Sequence, residues 1–379
     1  MSKSEPKGFW NKFAYRELSR VAEVQSGDEL FLLSEDEIKA LRKIRRATFW
    51  KVGIAGAMGV ILLYGPYHIF GASLFPMNHV WIPVYDDYLD IEISFLVYSL
   101  VLVMAEIWYL TYVNIKAVSS IAKACGHPNP TDANYEHNIN ALISVGLEKK
   151  QKQLESIGIN PYEGLNPIGV VVFQLLLRLK AAVSGFLFKL LIKKALGRYA
   201  LRAVIDFAGI PVYAFWNCWG ARKVMNESLI RVMAPPLIKR CADALYESQK
   251  DNPVFRTYLY DTLQLISESK RSFHYNHFLL SVTLLEKFGI ELEDEPPYND
   301  DFLVEIKDLS KNTIEGINQL LIFGIIIDGA VSYREKKAIR TLREQGILKY
   351  TEAEVVKWSK DYFAGKGIEG FFAHKKTQL

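Results

Sequence analysis

Two stretches of the chain stay apolar over more than twenty residues each. They run from 48 to 70 and from 91 to 115, with Lys51 close to the start of the first and Glu106 inside the second. A helix of about 20 apolar residues covers the ~30 Å hydrocarbon core of a bilayer. Buried helices of soluble proteins rarely stay apolar on all sides over this length. The pattern therefore predicts a transmembrane hairpin of two spans, joined by an external loop over 71–90.

Basic residues predict the orientation of this hairpin. A basic run precedes the first span, Lys116 and Lys123 follow the second, and the loop over 71–90 has three Asp but no Lys or Arg. Cytoplasmic flanks of membrane helices are enriched in Lys and Arg. We therefore expect a multi-pass protein of the bacterial inner membrane with both termini in the cytoplasm.

Small and polar residues inside the spans are candidates for helix contacts and for function. Gly53, Gly56 and Gly59 recur at a spacing of three, which lets another helix approach closely, most simply the second span. Carboxylates inside a membrane are costly and mark functional sites by default, so Glu106 is a candidate, with His68 or Lys51 among its potential partners. The alternative is that Glu106 reaches the nearby cytoplasmic interface.

The region from 116 to 234 is apolar but interrupted by charge, and we expect it to lie against the membrane. A helical wheel over 168–196 puts Arg178, Lys189 and Lys193 on one face, which favours an anionic leaflet as partner. A core helix of a membrane-apposed bundle is the alternative. Whether 168–224 crosses, re-enters or lies on the membrane stays open.

A polar pair and a proline follow this basic helix. Arg202 and Asp206 are four residues apart, so their side chains share a helix face and can pair. Gly209 and Pro211 interrupt the helical pattern, and the apolar run after them is too short to span a bilayer alone. A re-entrant or shallowly inserted hairpin is therefore expected here.

The residues around this proline resemble the closing motif of the EcsC-type bacterial membrane-associated proteins. The matching residues are Ile210, Pro211, Val212, Ala214, Asn217 and Ala221. The resemblance covers roughly 165–235. It implies peripheral membrane association and carries no established catalytic residue.

From Pro235 onward the pattern becomes that of amphipathic helices, which predicts a cytoplasmic helical domain over 235–379. The apolar run 320–327 is too short for a span and predicts a buried helix end. Gly329 predicts a turn, and Ser332 with Glu335 predicts a capping box at the start of the next helix. Thr351 and Glu354 have the same spacing and predict a second capping box.

The corner at 328–335 resembles the TerB-like tellurite-resistance helical fold, which uses such a corner between paired helices. The resemblance covers about 240–370. Some members of those families bind metal through acidic residues, and Asp328 and Glu335 are the matching positions, which implies a divalent metal. The residues themselves reject an EF-hand, because positions one and three of that loop would be Gly324 and Ile326, which offer no side-chain oxygen.

Composition narrows the function classes. Lys and Arg number 46 against 42 Asp and Glu, a net charge of +4, which does not indicate a nucleic-acid partner. Three widely spaced cysteines offer neither a disulfide framework nor a zinc site. The common nucleotide, zinc-protease and hydrolase motifs are absent from the sequence, and no catalytic residue or cofactor is predicted.

Together these patterns predict a mostly α-helical fold with four regions. A cytoplasmic segment over 1–47 precedes the hairpin over 48–115, the membrane-apposed region over 116–234 and the cytoplasmic bundle over 235–379. The function expected is an adaptor or scaffold that presents a helical module to a protein partner, in envelope maintenance or stress response.

Two alternatives remain open. One is a subunit of an oligomeric transporter or channel that uses Glu106, Arg202 and Asp206, for which a homo-oligomer is expected. The other is a membrane-bound enzyme that depends on a metal.

Overall fold

The computed structural model describes residues 8–20, 32–82, 87–128, 135–147, 206–270, 274–290, 299 and 302–368. The described chain is mostly helical, as predicted. Its helices are α1 (Phe9–Leu18), α2 (Glu35–Phe70), α3 (Ile93–Ala124), α4 (Tyr135–Gly146), α5 (Gly209–Gln249), α6 (Pro253–Lys270), α7 (Tyr275–Lys287), α8 (Phe302–Glu305), α9 (Lys311–Ile326), α10 (Tyr333–Glu344) and α11 (Glu352–Phe363). Short 3₁₀ turns occupy Gly71–Ser73 and Ile306–Asp308, and two strands are β1 (Asn78–Ile82) and β2 (Asp87–Ile91).

The chain divides into two compact units. The hairpin unit comprises Leu41–Ser120 and Asn166–Asn226. The bundle unit comprises Met1–Ala40, Ile121–Leu165 and Glu227–Leu379. The boundary expected from the sequence at Pro235 falls inside α5, and the N-terminal segment groups with the C-terminal helices.

Both predicted spans are helical. α2 and α3 are each long and apolar enough to cross a membrane. In the most apolar window of α3 no residue is buried, and in that of α2 only 22% are buried. Leu100 and Val101 of α3, for example, are each about 60% exposed. A core helix of a soluble protein would bury these side chains, whereas here they lie on the surface.

A β-hairpin, and not an irregular loop, connects the two long helices. β1 and β2 pair in antiparallel register, with Asn78 opposite Ile91 and Trp81 opposite Tyr88. The sequence stretch was expected only to be an external loop. Beside the strands, Tyr67 of α2 donates a hydrogen bond to Glu92 at 3.1 Å and stacks on Phe75, which fixes this end of the hairpin.

α5 replaces the short insertion expected after Pro211. The helix begins at Gly209, so Pro211 lies in its first turn, where a backbone N–H has no partner within the helix. It then continues through Pro235 and Pro236. Residues around these prolines, such as Met233 and Leu237, are completely buried, and this packing offsets the lost backbone hydrogen bonds.

α9 forms the centre of the bundle unit. It packs against α6 and α11, and its second half is buried on every side, including Leu320, Phe323 and Ile326. The prediction that the apolar run 320–327 is a buried helix end is therefore confirmed. Close packing requires small residues: a Cβ added to Gly324 would lie 2.5 Å from Ile266 of α6.

α1 packs along α4 within the bundle unit. Ala14 and Leu18 are buried there, and the Tyr15 hydroxyl donates a hydrogen bond to Glu136 at 2.9 Å. Phe9 at the start of α1 is 64% exposed. This N-terminal helix therefore docks on α4.

Candidate functional site

The predicted corner is present between α9 and α10. Gly329 has a φ of +74°, which a residue with a side chain rarely adopts, and a Cβ there would lie 2.6 Å from Ile230. Ser332 caps α10, since its hydroxyl accepts from the Glu335 amide at 3.3 Å and the Glu335 carboxylate accepts from the Ser332 amide at 2.7 Å. Both predicted capping boxes are confirmed, the second one at Thr351 and Glu354.

The two acidic residues of the corner converge on a buried lysine. Lys270 is the last residue of α6, and its side chain is only 2% exposed. Its ammonium lies 2.5 Å from the carboxylate of Asp328 and 3.2 Å from that of Glu335. It also donates to the Ile325 carbonyl at 3.4 Å. The ammonium therefore supplies the positive charge that these two carboxylates need in a buried position.

Asp328 also pairs with a histidine, which continues the set of charges. Nδ1 of His274 lies 3.0 Å from Asp328, and its Nε2 lies 3.0 Å from Glu227. Glu227 in turn accepts from Nε of Arg231 at 2.7 Å, and Arg231 donates to the Ala141 carbonyl at 2.9 Å.

The result is a row of alternating charges, which we call the ionic chain. Its members in order of contact are Arg231, Glu227, His274, Asp328, Lys270 and Glu335. With His274 protonated the chain holds three cations and three anions. It joins α5, α6 and α10 to the residues that precede α7 and follow α9, so one electrostatic network fixes five segments of the bundle.

The surroundings keep the members of the chain charged. Burial alone would lower the pKa of His274, but Asp328 and Glu227 outweigh it and raise that pKa to about 9. Burial alone would raise the pKa of Glu227, but His274 and Arg231 lower it to about 2. Asp328 has a pKa well below its ordinary value, because His274 and Lys270 outweigh its burial. The opposite charges therefore overcome the cost of desolvation.

Protonation of His274 decides its hydrogen bonds. In the imidazolium form both ring nitrogens donate, one to Asp328 and one to Glu227. The amide of Asn276 lies 3.2 Å from Nδ1 and would donate to it as a helix cap, which only a neutral ring can accept. Since the pKa favours the imidazolium, the ion pair with Asp328 takes precedence over the cap.

His277 lies beside the chain but does not join it. It is fully buried, and burial together with the charge of Lys270 lowers its pKa to about 3, so the ring is neutral. Nearby, the Asn276 side chain donates to the Ile327 carbonyl at 2.9 Å, and Tyr362 donates to the Ile230 carbonyl at 3.3 Å. The first contact attaches α7 to the corner, and the second attaches α11 to α5.

A metal at Asp328 and Glu335 remains a prediction that the resemblance implies. The described part of the chain holds no group of three or more His, Cys, Asp or Glu arranged to take a metal ion. Asp328 and Glu335 share the Lys270 ammonium as their common cation. The observed contacts thus give the pair a role in holding the corner.

The carboxylate of Glu106, inside the second apolar helix, has a partner that the sequence analysis did not name. Glu106 of α3 accepts a hydrogen bond at 2.8 Å from the amide of Asn217 on α5, which also donates to the Val52 carbonyl at 3.4 Å. A Cβ at Gly59 would lie 3.3 Å from the Glu106 carboxylate, so this glycine leaves room for it. Glu106 and Asn217 thus connect three helices of the hairpin unit.

The glycine stripe of α2 faces mainly α5 and not the second span. A Cβ at Gly56 would lie 2.8 Å from backbone of Tyr213 and 2.9 Å from backbone of Ala214, and one at Gly53 would lie 3.3 Å from the Cys218 sulfur. Only Gly59 faces the second span, through Glu106. The predicted close approach of a helix is correct, but the helix is α5.

Of the predicted pair Arg202 and Asp206, only Asp206 lies within the described residues. Asp206 pairs with His68 of α2 at 3.2 Å. Arg202, its predicted partner, lies outside the described residues. The same holds for Arg178, Lys189 and Lys193, so their predicted contact with an anionic leaflet stays a prediction.

The bundle unit also carries a groove between α6, α9 and α10, which we call the α10 groove. Its volume is about 350 Å³. Its floor is apolar, with Leu265, Leu321 and Ile325 among the lining residues, and its rim carries Arg334 and Lys337. Neither the apolar floor nor the basic rim could be located from the sequence, because four separate helices, α6, α8, α9 and α10, contribute to the groove.

Some members of the ionic chain can be predicted from the sequence, and others cannot. Asp328 and Glu335 were selected because they belong to a recognisable corner. Glu227 and Arg231 have the i, i+4 spacing of a helical ion pair, a signal that could have been used. Lys270 has no such signal, since its partners lie far away in the sequence. Comparison of the whole chain with protein-family models, with curated proteins and with solved structures gave no match.

Proposed function

We propose that this protein is a membrane-anchored adaptor, with the hairpin unit as the anchor and the α10 groove of the bundle unit as the site that binds a protein partner. The observation that carries the first part is the apolar window of α3, in which no residue is buried. So much apolar surface in contact with water would be strongly unfavourable, and lipid is the environment that suits it.

The expected location is the bacterial inner membrane with both ends of the hairpin in the cytoplasm. Support comes from the distribution of charge, because Arg42, Arg45 and Arg46 precede the apolar part of α2 and Lys116 and Lys123 end α3. At the other end, β1 and β2 contain His79, Asp87 and Asp90 but no Lys or Arg. This asymmetry is the one that orients bacterial membrane helices.

The partner that fits the α10 groove best is an amphipathic helix flanked by acidic residues. The apolar floor suits the apolar face of such a helix. Arg334 and Lys337 line the groove together with one acidic residue, Glu268, so its charged residues carry a net positive charge that favours acidic over basic helices. The ionic chain supports this role, because it fixes α6 and α10, two walls of the groove, through Lys270 and Glu335.

A photocrosslinking amino acid placed at Thr341, on the exposed edge of the groove, tests the partner site in native membranes. A matched control carries the same amino acid at Lys357, an exposed position on α11 that does not line the groove. We expect one protein to crosslink from Thr341 through an acidic, amphipathic helix, and not from Lys357. Crosslinking of the same species from both positions, or of a segment that is neither helical nor acidic, would contradict the proposal.

Transport is the second function considered. It would use Glu106, but this carboxylate is engaged by Asn217 in a packed contact of three helices, which suits a structural role. The variant Glu106→Gln keeps an oxygen that can accept from Asn217 and removes the charge. An adaptor should keep its membrane insertion and its crosslink in this variant, whereas a conduction path should lose flux.

A further inference from the structure

The hairpin unit has a groove between α2 and α5 whose two ends differ in chemistry. Its volume is about 710 Å³. Arg42, Arg45 and Arg46 line one end. The remainder is lined by aromatic and aliphatic side chains and by small residues, among them Trp50 and Ala57. We call it the arginine groove.

The helices that form this groove contain an excess of basic residues. No Asp or Glu occurs in the parts of these helices that form the groove, residues 41–59 and 209–226. Besides the three arginines of the groove, they contain Arg222 and Lys223. Arg45 donates to the Asn226 side-chain oxygen at 3.2 Å, a neutral partner. Burial, and then the charge of Arg222, lower the pKa of Arg45, because this guanidinium is partly desolvated and lies near a second cation.

The dimensions of the groove match one leaflet of a bilayer. Arg42 and Ala57 are fifteen residues apart on one helix, which corresponds to about 22 Å along its axis. Half of a bilayer with its headgroups measures roughly 20–22 Å. In the proposed orientation, the arginines lie at headgroup depth and the wall from Trp50 to Ala57 extends toward the acyl chains.

We propose that the arginine groove binds one anionic phospholipid, with its phosphate on the guanidinium groups and an acyl chain along the apolar wall. Guanidinium groups are planar donors that match phosphate oxygens, which lysine does less well. This inference rests on the proposed membrane anchoring. A soluble anion would leave the apolar wall unused, and a neutral lipid would bring no net negative charge to the basic end of the groove.

The test uses the full chain in nanodiscs of phosphatidylcholine with one fifth phosphatidylglycerol, followed by native mass spectrometry of the lipids that stay bound. We expect one retained phosphatidylglycerol. The variant Arg42→Gln/Arg46→Gln should reduce its retention by roughly tenfold or more. The control Lys39→Gln/Lys43→Gln removes two positive charges from the same helix outside the groove and should keep the lipid.

A second variant, Ala57→Phe, fills the apolar end of the groove without changing its charge and should also reduce retention. Equal retention of phosphatidylcholine, or equal losses in the arginine and lysine variants, would overturn the lipid site alone and leave the anchor standing. A protein that does not enter the nanodisc or is washed from membranes at alkaline pH would overturn the proposed anchoring and the lipid site together.

Discussion

Replacement of Lys270 by methionine removes the central cation of the ionic chain. The side chain is 2% exposed, and its ammonium lies 2.5 Å from Asp328 and 3.2 Å from Glu335, whose side chains are 14% and 4% exposed. Methionine fills a similar volume, so the effect comes from the loss of charge and not from a cavity. Two carboxylates would then share one remaining neighbouring cation, His274.

The expected cost is large for a single substitution. Removal of one partner from a buried ion pair costs about 3–5 kcal/mol, since the other charge is left buried without compensation. In a unit of this size 1 kcal/mol changes the melting temperature by about 2–4 °C. We therefore expect Lys270→Met to lower the melting temperature by roughly 6–20 °C, measured by far-ultraviolet circular dichroism on the full-length protein in detergent.

Two further variants show whether charge is the cause. Lys287→Met breaks the ion pair of Lys287 with Asp243, two side chains that are 33% and 49% exposed. This variant should lose at most about 1 kcal/mol of stability, because exposed ion pairs contribute little. Lys270→Met/Glu335→Gln restores a neutral chain and keeps the capping box, since glutamine also fits that position. It should recover a substantial part of the loss. Equal melting temperatures for the Lys270 and Lys287 variants would refute the electrostatic role of the ionic chain.

Three other predictions follow from individual contacts. Gly56→Ala puts a Cβ 2.8 Å from the backbone of α5 and should cost about 1–3 kcal/mol of stability. Gly65→Ala in the same helix meets open space and should not destabilise the protein. Thermal melting in detergent compares the two variants, and equal effects would argue against the close approach of α2 and α5. Gly329→Ala should lower the melting temperature more than Gly346→Ala. Both positions have a positive φ, but only the Cβ added at Gly329 would lie within 3 Å of another side chain, that of Ile230. The reverse order of melting temperatures would show that the corner is not packed as described. The pKa of His274 is raised from 6.5 to about 9, so the protonated ring stabilises the fold by about 3 kcal/mol below pH 6.5, and this stabilisation is lost as the pH rises through 9. In His274→Gln, the loss of unfolding free energy between pH 6.5 and 9.5 should therefore be smaller than in the wild type. A pH profile of stability that is unchanged in this variant would exclude His274 as its origin.

Local sequence signals predicted the elements that depend on local physics. The two long apolar stretches are helical, in α2 and α3, and Ser332 and Glu335 form the capping box that their spacing predicts. In both cases the deciding interactions lie within one helix or between one helix and its solvent. Such interactions leave a periodic or fixed-spacing signature in the sequence.

The features that the sequence did not predict depend on tertiary packing. Pro235 and Pro236 usually end a helix, yet α5 continues through them because the surrounding residues are buried. Glu106 and Asn217 are 111 positions apart in the sequence, and Lys270 is 58 positions from Asp328. No spacing rule within one segment could reveal these pairs.

The membrane hairpin is the central claim, and cysteine labelling from outside intact bacterial cells tests it most directly. The native cysteines Cys125, Cys218 and Cys241 are first replaced by alanine. Single cysteines are then introduced at Ser73, in the connection before β1, and at Lys43, at the basic start of α2, and both positions are exposed. With a maleimide that does not cross membranes, we expect labelling of Ser73→Cys in intact cells and of Lys43→Cys only after permeabilisation. Labelling of Lys43→Cys in intact cells with protection of Ser73→Cys, or equal labelling of both, would contradict the proposed hairpin and its orientation.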